Sequence, residues 1–370
     1  MADLPHSQQS RSEMRNRMKA LIAMSGGVDS SVAALLTKRQ GYDCIGCTMK
    51  LYTNEDVGIQ KGHTCCSLDD VADARSVANK LDMPYYVFNL SDSFREKVID
   101  KFIACYECGR TPNPCIDCNR HLKFDKLFER AQMLDCDKVV TGHYARIRKN
   151  GQGYQLLKAK NENKDQSYVL YRMTQEQLAH TLFPLGELSK DEVRQIADSS
   201  GFVNANKPDS QDICFVPDGD YVAAIKRFTG KEYPAGDFVD TAGNKLGTHK
   251  GIVGYTIGQR KGLGISATHP LYVCAISPEK NEIVLGEEKE LMSKTIFLED
   301  VNWISGKAPE DSISCSVKIR YRHREQPCIV TPLPGNKAMV EFVQEQRAAT
   351  PGQAAVMYLD DVVLGGGVIC

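Results

Sequence analysis

The chain has 370 residues and a formal net charge of −1, with 25% charged and 42% hydrophobic residues. This composition is near the average for globular domains and excludes a collagen-like or largely disordered chain. The length predicts two or three domains. No apolar run of about 18 residues predicts a membrane span, and the first residues lack the apolar segment of a secretory signal.

The unusual number is that of the cysteines, of which there are 14. In a large chain without a predicted signal peptide, this count indicates reduced thiols, some of them metal-binding or catalytic and others packed in the core. We therefore expect a reducing, cytoplasmic location. The near-zero net charge means that contact with nucleic acid would have to come from local basic patches.

Strand and helix patterns alternate through the first 200 residues. The apolar segments KALIAM, GYDCIGCTMK, YYVFN and DKVVT are typical of buried strands, and the stretches between them have helical periodicity. This order predicts an α/β fold with a doubly wound parallel sheet, in which ligands bind at the carboxyl ends of the strands.

Beyond residue 214, short β-rich segments separated by turn signals predict a small central β-rich domain and a C-terminal β-barrel. The predicted units are a solvated tail (1–17), a catalytic domain (18–213), a central domain (214–288) and a barrel (289–370).

The segment Ser25–Ser31 reads SGGVDSS and lies where a predicted strand gives way to a helix. Its glycines let backbone N–H groups approach a phosphate, and the helix N-terminus favours an anion. Asp29 suits Mg²⁺ or a helix cap. A plain glycine turn is the alternative. No lysine follows the glycines, so this is not a Walker A loop. The string resembles the PP-loop of N-type ATP pyrophosphatases, which adenylate a carbonyl oxygen and release pyrophosphate.

Two cysteines, Cys115 and Cys118, follow a proline-rich approach, and Cys214 lies beside a predicted turn. Basic neighbours of the first two would stabilise a thiolate. The pair Cys105 and Cys108 precedes them, and this CxxC…CxxC spacing leaves a structural zinc site open as an alternative. The adjacent pair at positions 65 and 66 is interpreted as a loop-to-helix junction.

Seven strings occur in order along residues 18–370, namely SGGVDSS, TPNPCIDCN, TGHY, KDQSYVLY, LFPLGEL, GQRKGLG and TPGQAAV…LGGGVI. Together they resemble the tRNA-specific 2-thiouridylase family. The resemblance implies that ATP adenylates the C2 oxygen of the wobble uridine, position 34 of tRNA, and that a sulfur nucleophile then displaces AMP. The uridine would leave the anticodon-loop stack to react.

The resemblance also implies roles for individual residues. Cys118 would be the catalytic nucleophile and Cys214 the persulfide carrier. ATP, with Mg²⁺, would contact Ala23, Met24, Ser25, Gly26, Gly27, Val28, Asp29, Ser30, Met49 and Gly142. The tRNA would contact Asn113, Pro114, Cys115, His143, Lys164, Asp165, Gln166, Arg320, Tyr321 and Gln353.

Position 115 departs from the better-known form of the family, which has aspartate where this chain has Cys115. Cys115, Cys118 and Cys214 could instead hold three irons of a [4Fe–4S] cluster whose fourth iron binds hydrosulfide. The sulfur donor would be a cysteine desulfurase, a sulfur-relay protein or inorganic sulfide, and the sequence does not distinguish among them. The residues leave both routes open.

Basic residues alternate along 318–324, KIRYRHR, which predicts a strand with one positively charged face. A solvated, charge-protected sheet edge is one interpretation, and a face that follows tRNA phosphates is the other.

Two other functions compete with tRNA thiolation. One is another PP-loop enzyme that thiolates tRNA or amidates a small molecule, and the β-rich second half and paired cysteines argue against amidation. The other is a zinc-bearing RNA-binding module, against which the SGGVDSS string argues.

Overall fold

A computed structural model describes residues 17–58, 68–208 and 213–370. Cys65 and Cys66, for which a junction was predicted, lie outside these ranges. Within them, no helix is long and apolar enough to cross a membrane.

The strands, in chain order, are β1 (Lys19–Ala23), β2 (Asp43–Lys50), β3 (Tyr85–Asn89), β4 (Lys138–Val140), β5 (Ala145–Asn150), β6 (Gly153–Lys158), β7 (Thr181–Leu182), β8 (Gly236–Val239), β9 (Lys245–His249), β10 (Tyr272–Ser277), β11 (Glu282–Gly286), β12 (Met292–Trp303), β13 (Ile313–Lys318), β14 (Gln326–Leu333), β15 (Lys337–Arg347), β16 (Ala354–Leu359) and β17 (Val362–Ile369).

The helices are α1 (Val28–Arg39), α2 (Leu68–Lys80), α3 (Ser91–Phe94, Arg95–Ile99 and Asp100–Glu107 in succession), α4 (Pro114–Asp117, Cys118–Lys126 and Leu127–Met133), α5 (Gln175–Ala179), α6 (Lys190–Ser199) and α7 (Tyr221–Thr229). The middle segments of α3 and α4 are π-helical.

The first sheet has five strands in the order β3-β2-β1-β4-β7, and every pairing in it is parallel. Helix α1 follows β1 directly and buries Val28, Val32 and Leu35 against the sheet. Its first turn carries Asp29 and its last turn carries Lys38 and Arg39, which complement the helix dipole. The predicted parallel α/β fold is confirmed.

Helix α4 begins at a well-capped turn. The Asn113 side chain accepts a hydrogen bond from the backbone N–H of Cys115 (3.2 Å), and Pro114 occupies the first helical position. The π-helical stretch of α4 starts at Cys118. Wider turns of this kind occur often at functional sites, and here the widening begins at one of the predicted reactive thiols.

A small central sheet has the order β10-β11-β8-β9, with a parallel β8–β11 pair among antiparallel neighbours. The largest sheet has the order β12-β15-β14-β13-β16-β17-β6-β5, and pairing of β12 with β17 closes its first six strands into an antiparallel barrel. Both the central β-rich unit and the C-terminal barrel agree with the sequence prediction.

The hairpin β5–β6 joins the edge of the barrel sheet, although it lies within the predicted catalytic range in sequence. It pairs with β17 through Leu156 and Leu157. Tyr168 packs in the same apolar cluster as Val356 and Tyr358. The first region of the chain (18–213) and the barrel (289–370) therefore share one core.

The prediction of a strand over 318–324 is wrong. Strand β13 ends at Lys318, and the chain then turns, with the backbone N–H of His323 donating to the carbonyl of Arg320 (3.0 Å). Ile319 is 1% exposed and anchors this β13–β14 connection in the barrel core. The basic side chains of the segment consequently surround a turn instead of sharing one strand face.

An ion pair links the first region to the barrel. The Arg172 side chain is 6% exposed, and its guanidinium contacts the Asp300 carboxylate at 2.8 Å and donates to the Tyr171 hydroxyl at 3.0 Å. Although burial raises it, the pKa of Asp300 lies below its ordinary value because Arg172 stabilises the carboxylate.

Replacing Asp300 with asparagine should lower the free energy of unfolding at pH 7 by about 1 kcal/mol, because the buried Arg172 guanidinium loses a counter-charge that is itself half exposed to solvent. The pKa of Asp300 is lower in the folded protein than in the unfolded chain, where an aspartate has a pKa of about 3.9. The ion pair therefore stabilises the fold fully above about pH 4, and this contribution is lost in acid. The difference between wild type and variant should therefore shrink as the pH falls below about 4. Urea denaturation across pH measures this.

Asp237→Asn is the matched control, because its partner Lys245 is 58% exposed whereas Arg172 is buried. Its loss should stay within about 0.5 kcal/mol. Equal losses in the two variants would contradict the structural role given to Asp300.

Candidate functional site

The turn between β1 and α1 requires glycine at position 26. Gly26 has φ of +76°, and a Cβ there would lie 2.4 Å from the carbonyl oxygen of Asp70. The Ser25 backbone N–H donates to Ser30 Oγ (3.1 Å), and that hydroxyl donates to the carbonyl of Gly27 (3.0 Å). The predicted phosphate loop is thus folded back on the first turn of α1, where backbone N–H groups favour an anion.

Gly142 follows β4 and lies against the same helix end. A Cβ at this position would lie 2.8 Å from the backbone nitrogen of Ser30 and 2.9 Å from the carbonyl carbon of Asp29. Met49 is on β2, which pairs with β1 on the side opposite β4. The structure therefore brings Gly142 against the 23–30 segment and places Met49 on the strand adjoining it.

Two side chains from distant parts of the chain meet Asp29. Tyr144 donates its hydroxyl to Asp29 Oδ1 at 2.8 Å, and the Lys190 ammonium contacts the same oxygen at 2.7 Å. Lys190 begins α6 and its side chain is 9% exposed. Neither residue was among the site residues predicted from the sequence.

Asn204 is a further residue that sequence reasoning missed. It is 2% exposed, and its amide group donates to the carbonyl of Gly26 and to the Ser31 hydroxyl, both at 2.9 Å. These two bonds tie the segment after α6 to the loop. An isolated asparagine beyond a helix end carries no sequence signal for such a contact.

Of the three cysteines predicted to react, Cys115 is exposed, whereas Cys118 and Cys214 are partly exposed. Cys118 and Cys214 pack against the same apolar cluster, which includes Tyr52 and Phe215. The Tyr52 hydroxyl donates to the backbone carbonyl of Cys214 at 2.8 Å. The structure thus places both predicted sulfur-handling thiols at one apolar cluster.

Within the described ranges, no three cysteine, histidine, aspartate or glutamate side chains lie together as a metal site would require. This arrangement supports neither the CxxC…CxxC zinc site nor a three-cysteine cluster ligand set. Cys44 and Cys136 are poor nucleophiles, because burial raises the pKa of each thiol to about 11.

Hydrogen bonds from the barrel hold the loop that leads to Cys115. The Thr111 backbone N–H donates to the carbonyl of Pro351 at 2.9 Å, and the Gln353 side chain donates to the carbonyl of Thr111 at 2.9 Å. A Cβ on Gly352 would lie 3.0 Å from the Thr111 nitrogen. Gln353, predicted to contact tRNA, therefore lies against the loop leading to Cys115.

His143, also predicted to contact tRNA, is 7% exposed. One ring nitrogen lies 2.7 Å from the Thr141 hydroxyl and the other 3.4 Å from the Lys123 ammonium. Burial and the nearby Lys123 hold the pKa of His143 well below its ordinary value, so the ring is neutral at pH 7. The described structure gives His143 a position beneath the surface.

Two other segments predicted to contact tRNA, 164–166 and 320–321, lie close to each other. The Tyr321 hydroxyl donates to the carbonyl of Asp165 (3.2 Å), and the Tyr321 and Tyr168 rings meet edge to face, 5.8 Å apart. Burial raises the pKa of Tyr321, and Asp165 and Cys115 are near enough to contribute to the same shift. The segment 164–166, the turn at 320–321 and Cys115 are accordingly neighbours.

Gly142→Ala should weaken binding of an ATP analogue by at least about tenfold, a loss of about 1.4 kcal/mol, because the added methyl group displaces the first turn of α1. Gly151→Ala is the control, since a Cβ there meets nothing within 4 Å. Calorimetric titration measures both. Unchanged binding in Gly142→Ala would show that the loop does not form the nucleotide site.

Three family models match consecutive parts of the chain. They are described as a tRNA methyl transferase HUP domain (residues 18–218), a tRNA methyl transferase PRC-barrel domain (223–287) and an aminomethyltransferase beta-barrel domain (293–369). Among solved structures, a 4-thiouridine synthetase–RNA complex with bound ATP is 20% identical with a TM-score of 0.36, covering 54% of this chain and 45% of that one.

Curated relatives match almost the full length. The tRNA-specific 2-thiouridylase of Clostridioides difficile is 51% identical over 95% of this chain and 98% of its own, and that of Caldicellulosiruptor saccharolyticus is 50% identical over the same shares. That of Clostridium beijerinckii is 48% identical over 95% of this chain and 99% of its own. With half its residues shared across nearly its whole length, the chain belongs to the tRNA-specific 2-thiouridylase family.

Proposed function

We propose that this protein uses ATP to replace the C2 oxygen of wobble uridine 34 in tRNA with sulfur. The observation that carries the proposal is the Ser25–Ser31 turn, held in shape by Gly26 and Gly142, in a chain half identical to tRNA-specific 2-thiouridylases. In the proposed division, 18–213 supplies the ATP chemistry, and 214–288 and 289–370 hold the tRNA.

In the first step, the uridine C2 oxygen attacks the α-phosphorus of ATP and pyrophosphate leaves. An amide-like oxygen is a poor leaving group, and adenylation lets it depart later as AMP. Backbone N–H groups at the start of α1 would bind the pyrophosphate. Asp29 is the acidic residue of the loop that could hold Mg²⁺, and such an ion would neutralise phosphate charge. Lys190, at 2.7 Å from Asp29, fixes that carboxylate.

In the second step, the terminal sulfur of a Cys214 persulfide bonds to C2 as AMP leaves. Cys118 then attacks the sulfur of Cys214, which breaks the S–S bond and releases 2-thiouridine. The resulting Cys118–Cys214 disulfide is returned to two thiols by a dithiol reductant. The common apolar cluster against which both cysteines pack supports this pairing, and it would help to exclude water as a competing nucleophile. A cysteine desulfurase or a sulfur-relay protein would supply the sulfur.

The [4Fe–4S] alternative would use Cys115, Cys118 and Cys214, with inorganic sulfide as donor. Within the described ranges, no three cysteine, histidine, aspartate or glutamate side chains form a metal-ligand group, and we propose the persulfide route on the shared packing of Cys118 and Cys214. Cys115 then lies on the first turn of α4 beside the target base rather than in a metal site.

Cys118→Ser and Cys214→Ser should each lower 2-thiouridine formation by at least about a thousandfold, which corresponds to about 4 kcal/mol in the activation barrier. Each variant lacks one sulfur atom of the reacting pair. Cys115→Ser should retain activity within about tenfold. Digestion of the tRNA and mass spectrometry measure the product, using iron-free protein and a persulfide donor. Cys108→Ser, which removes another exposed thiol, is the control.

Iron and sulfide analysis of anaerobically purified protein tests the alternative [4Fe–4S] route. Loss of activity in Cys115→Ser, together with about four irons per chain in the wild type, would contradict the persulfide route.

The turn at 320–321 is the proposed basic contact with tRNA phosphates. Arg320 lies in this turn beside Tyr321, where a positive charge could neutralise a phosphate. Arg320→Glu should weaken tRNA binding by about tenfold and reduce the salt dependence of the affinity, while ATP-analogue binding stays unchanged.

Arg39→Glu is the matched control, because Arg39 is exposed at the opposite end of α1 from the loop. Filter binding at several salt concentrations measures both variants. An Arg320→Glu protein with wild-type tRNA affinity would remove this turn from the proposed interface.

A further inference from the structure

Hydrogen bonds connect the ATP loop to the segment 164–166. The Tyr144 hydroxyl donates to Asp29 Oδ1 at 2.8 Å. The backbone of the same tyrosine is held on both sides by Gln166, whose side-chain oxygen accepts from the Tyr144 N–H (3.0 Å) and whose backbone N–H donates to the Tyr144 carbonyl (2.9 Å). One residue therefore contacts both the loop and the segment.

The segment is also fixed to the barrel. The carbonyl of Asp165 accepts from the Tyr321 hydroxyl at 3.2 Å, and the Tyr168 hydroxyl donates to the carbonyl of Ala354 at 2.8 Å. The Asp165 side chain accepts from the backbone N–H groups of Ala159 and Ser167. The segment is thus a compact turn whose position depends on the barrel as well as on Tyr144.

Burial makes the tyrosine a firm connection. Tyr144 is 2% exposed and packs in the core cluster that contains Val140 and Leu185. Its ring also lies 6.0 Å from the Lys190 ammonium, which shares Asp29 Oδ1 with the hydroxyl. The phenol donates from a buried ring to a carboxylate that is 31% exposed, so the hydrogen bond is partly shielded from water and has more influence on the carboxylate than it would at the surface.

We propose that Tyr144 is a positioning residue through which tRNA binding and ATP binding strengthen each other. The proposal rests on the proposed function, since it takes the segment 164–166 and the turn at 320–321 as tRNA contacts. When tRNA binds the segment 164–166 and shifts it, the two hydrogen bonds with Gln166 move the Tyr144 backbone as well. The hydroxyl then holds Asp29 in the orientation that receives ATP and Mg²⁺. Coupling of this kind is reciprocal, so ATP must favour tRNA by the same factor.

The test uses the full chain, an unmodified tRNA transcript and α,β-methylene ATP, which cannot be cleaved at the reacting bond. The dissociation constant of each ligand is measured with and without a saturating amount of the other. The wild type should show a coupling factor of at least about fivefold in both directions. Tyr144→Phe should reduce that factor below about twofold, while tRNA alone binds within about threefold of wild type.

Tyr171→Phe is the matched control. Tyr171 is fully buried, and its hydroxyl accepts a hydrogen bond from Arg172 rather than contacting Asp29. A loss of stability alone would affect both variants, whereas the proposal predicts wild-type coupling in Tyr171→Phe. Circular dichroism melting confirms that each variant is folded.

Independent binding of the two ligands to the wild type would overturn this inference and leave the proposed function intact. Undiminished coupling in Tyr144→Phe, or an equal loss in Tyr171→Phe, would also overturn it. Absence of tRNA binding by the wild type would overturn the proposed function as well.

Discussion

The close approach of Gly142 to the first turn of α1 is the constraint on which the site depends. With a Cβ 2.8 Å from the Ser30 nitrogen, any side chain at 142 would push the end of β4 away from the helix. Gly26 imposes the same demand from the other side, because its positive φ and its contact with Asp70 exclude a side chain. Between them, the turn after β1 presents backbone N–H groups at the carboxyl edge of a parallel sheet, where such folds bind ligands.

Other parts of the chain hold this loop and the segment that carries Cys115 and Cys118. Asn204 and Lys190, which lie far along the chain, hold Gly26 and Asp29 in place. The barrel holds the loop before Cys115 through Gln353. The apolar cluster that underlies Cys118 also includes residues of the central region such as Val253. The two β-rich parts therefore shape the segment of the first region that carries Cys115 and Cys118.

The sequence was most informative about the Ser25–Ser31 loop, because the residues that indicate its turn are consecutive. SGGVDSS contains its strand end, glycines and helix start within seven residues, so the loop could be predicted locally. Tyr144 and Lys190 could not be assigned to it, because they meet Asp29 from 115 and 161 residues away and no local pattern encodes that meeting.

Two further differences have physical causes. Alternating charge over 318–324 resembles a strand, yet burial of Ile319 and the Arg320–His323 hydrogen bond make it a turn. Alternation alone does not distinguish a strand from a basic turn bordered by apolar anchors. The hairpin β5–β6 has ordinary strand patterning, and its place in the barrel sheet comes from pairing with β17, which lies far along the chain.

In the proposed mechanism, the loop at Gly26 and Gly142 activates a uridine oxygen by adenylation. This step is tested most directly with tRNA whose wobble uridine carries ¹⁸O at C2, incubated with ATP and a persulfide donor. Mass spectrometry of the released AMP should show one ¹⁸O atom for each 2-thiouridine formed. Unlabelled AMP alongside 2-thiouridine would mean that the oxygen leaves by another path and would contradict the account.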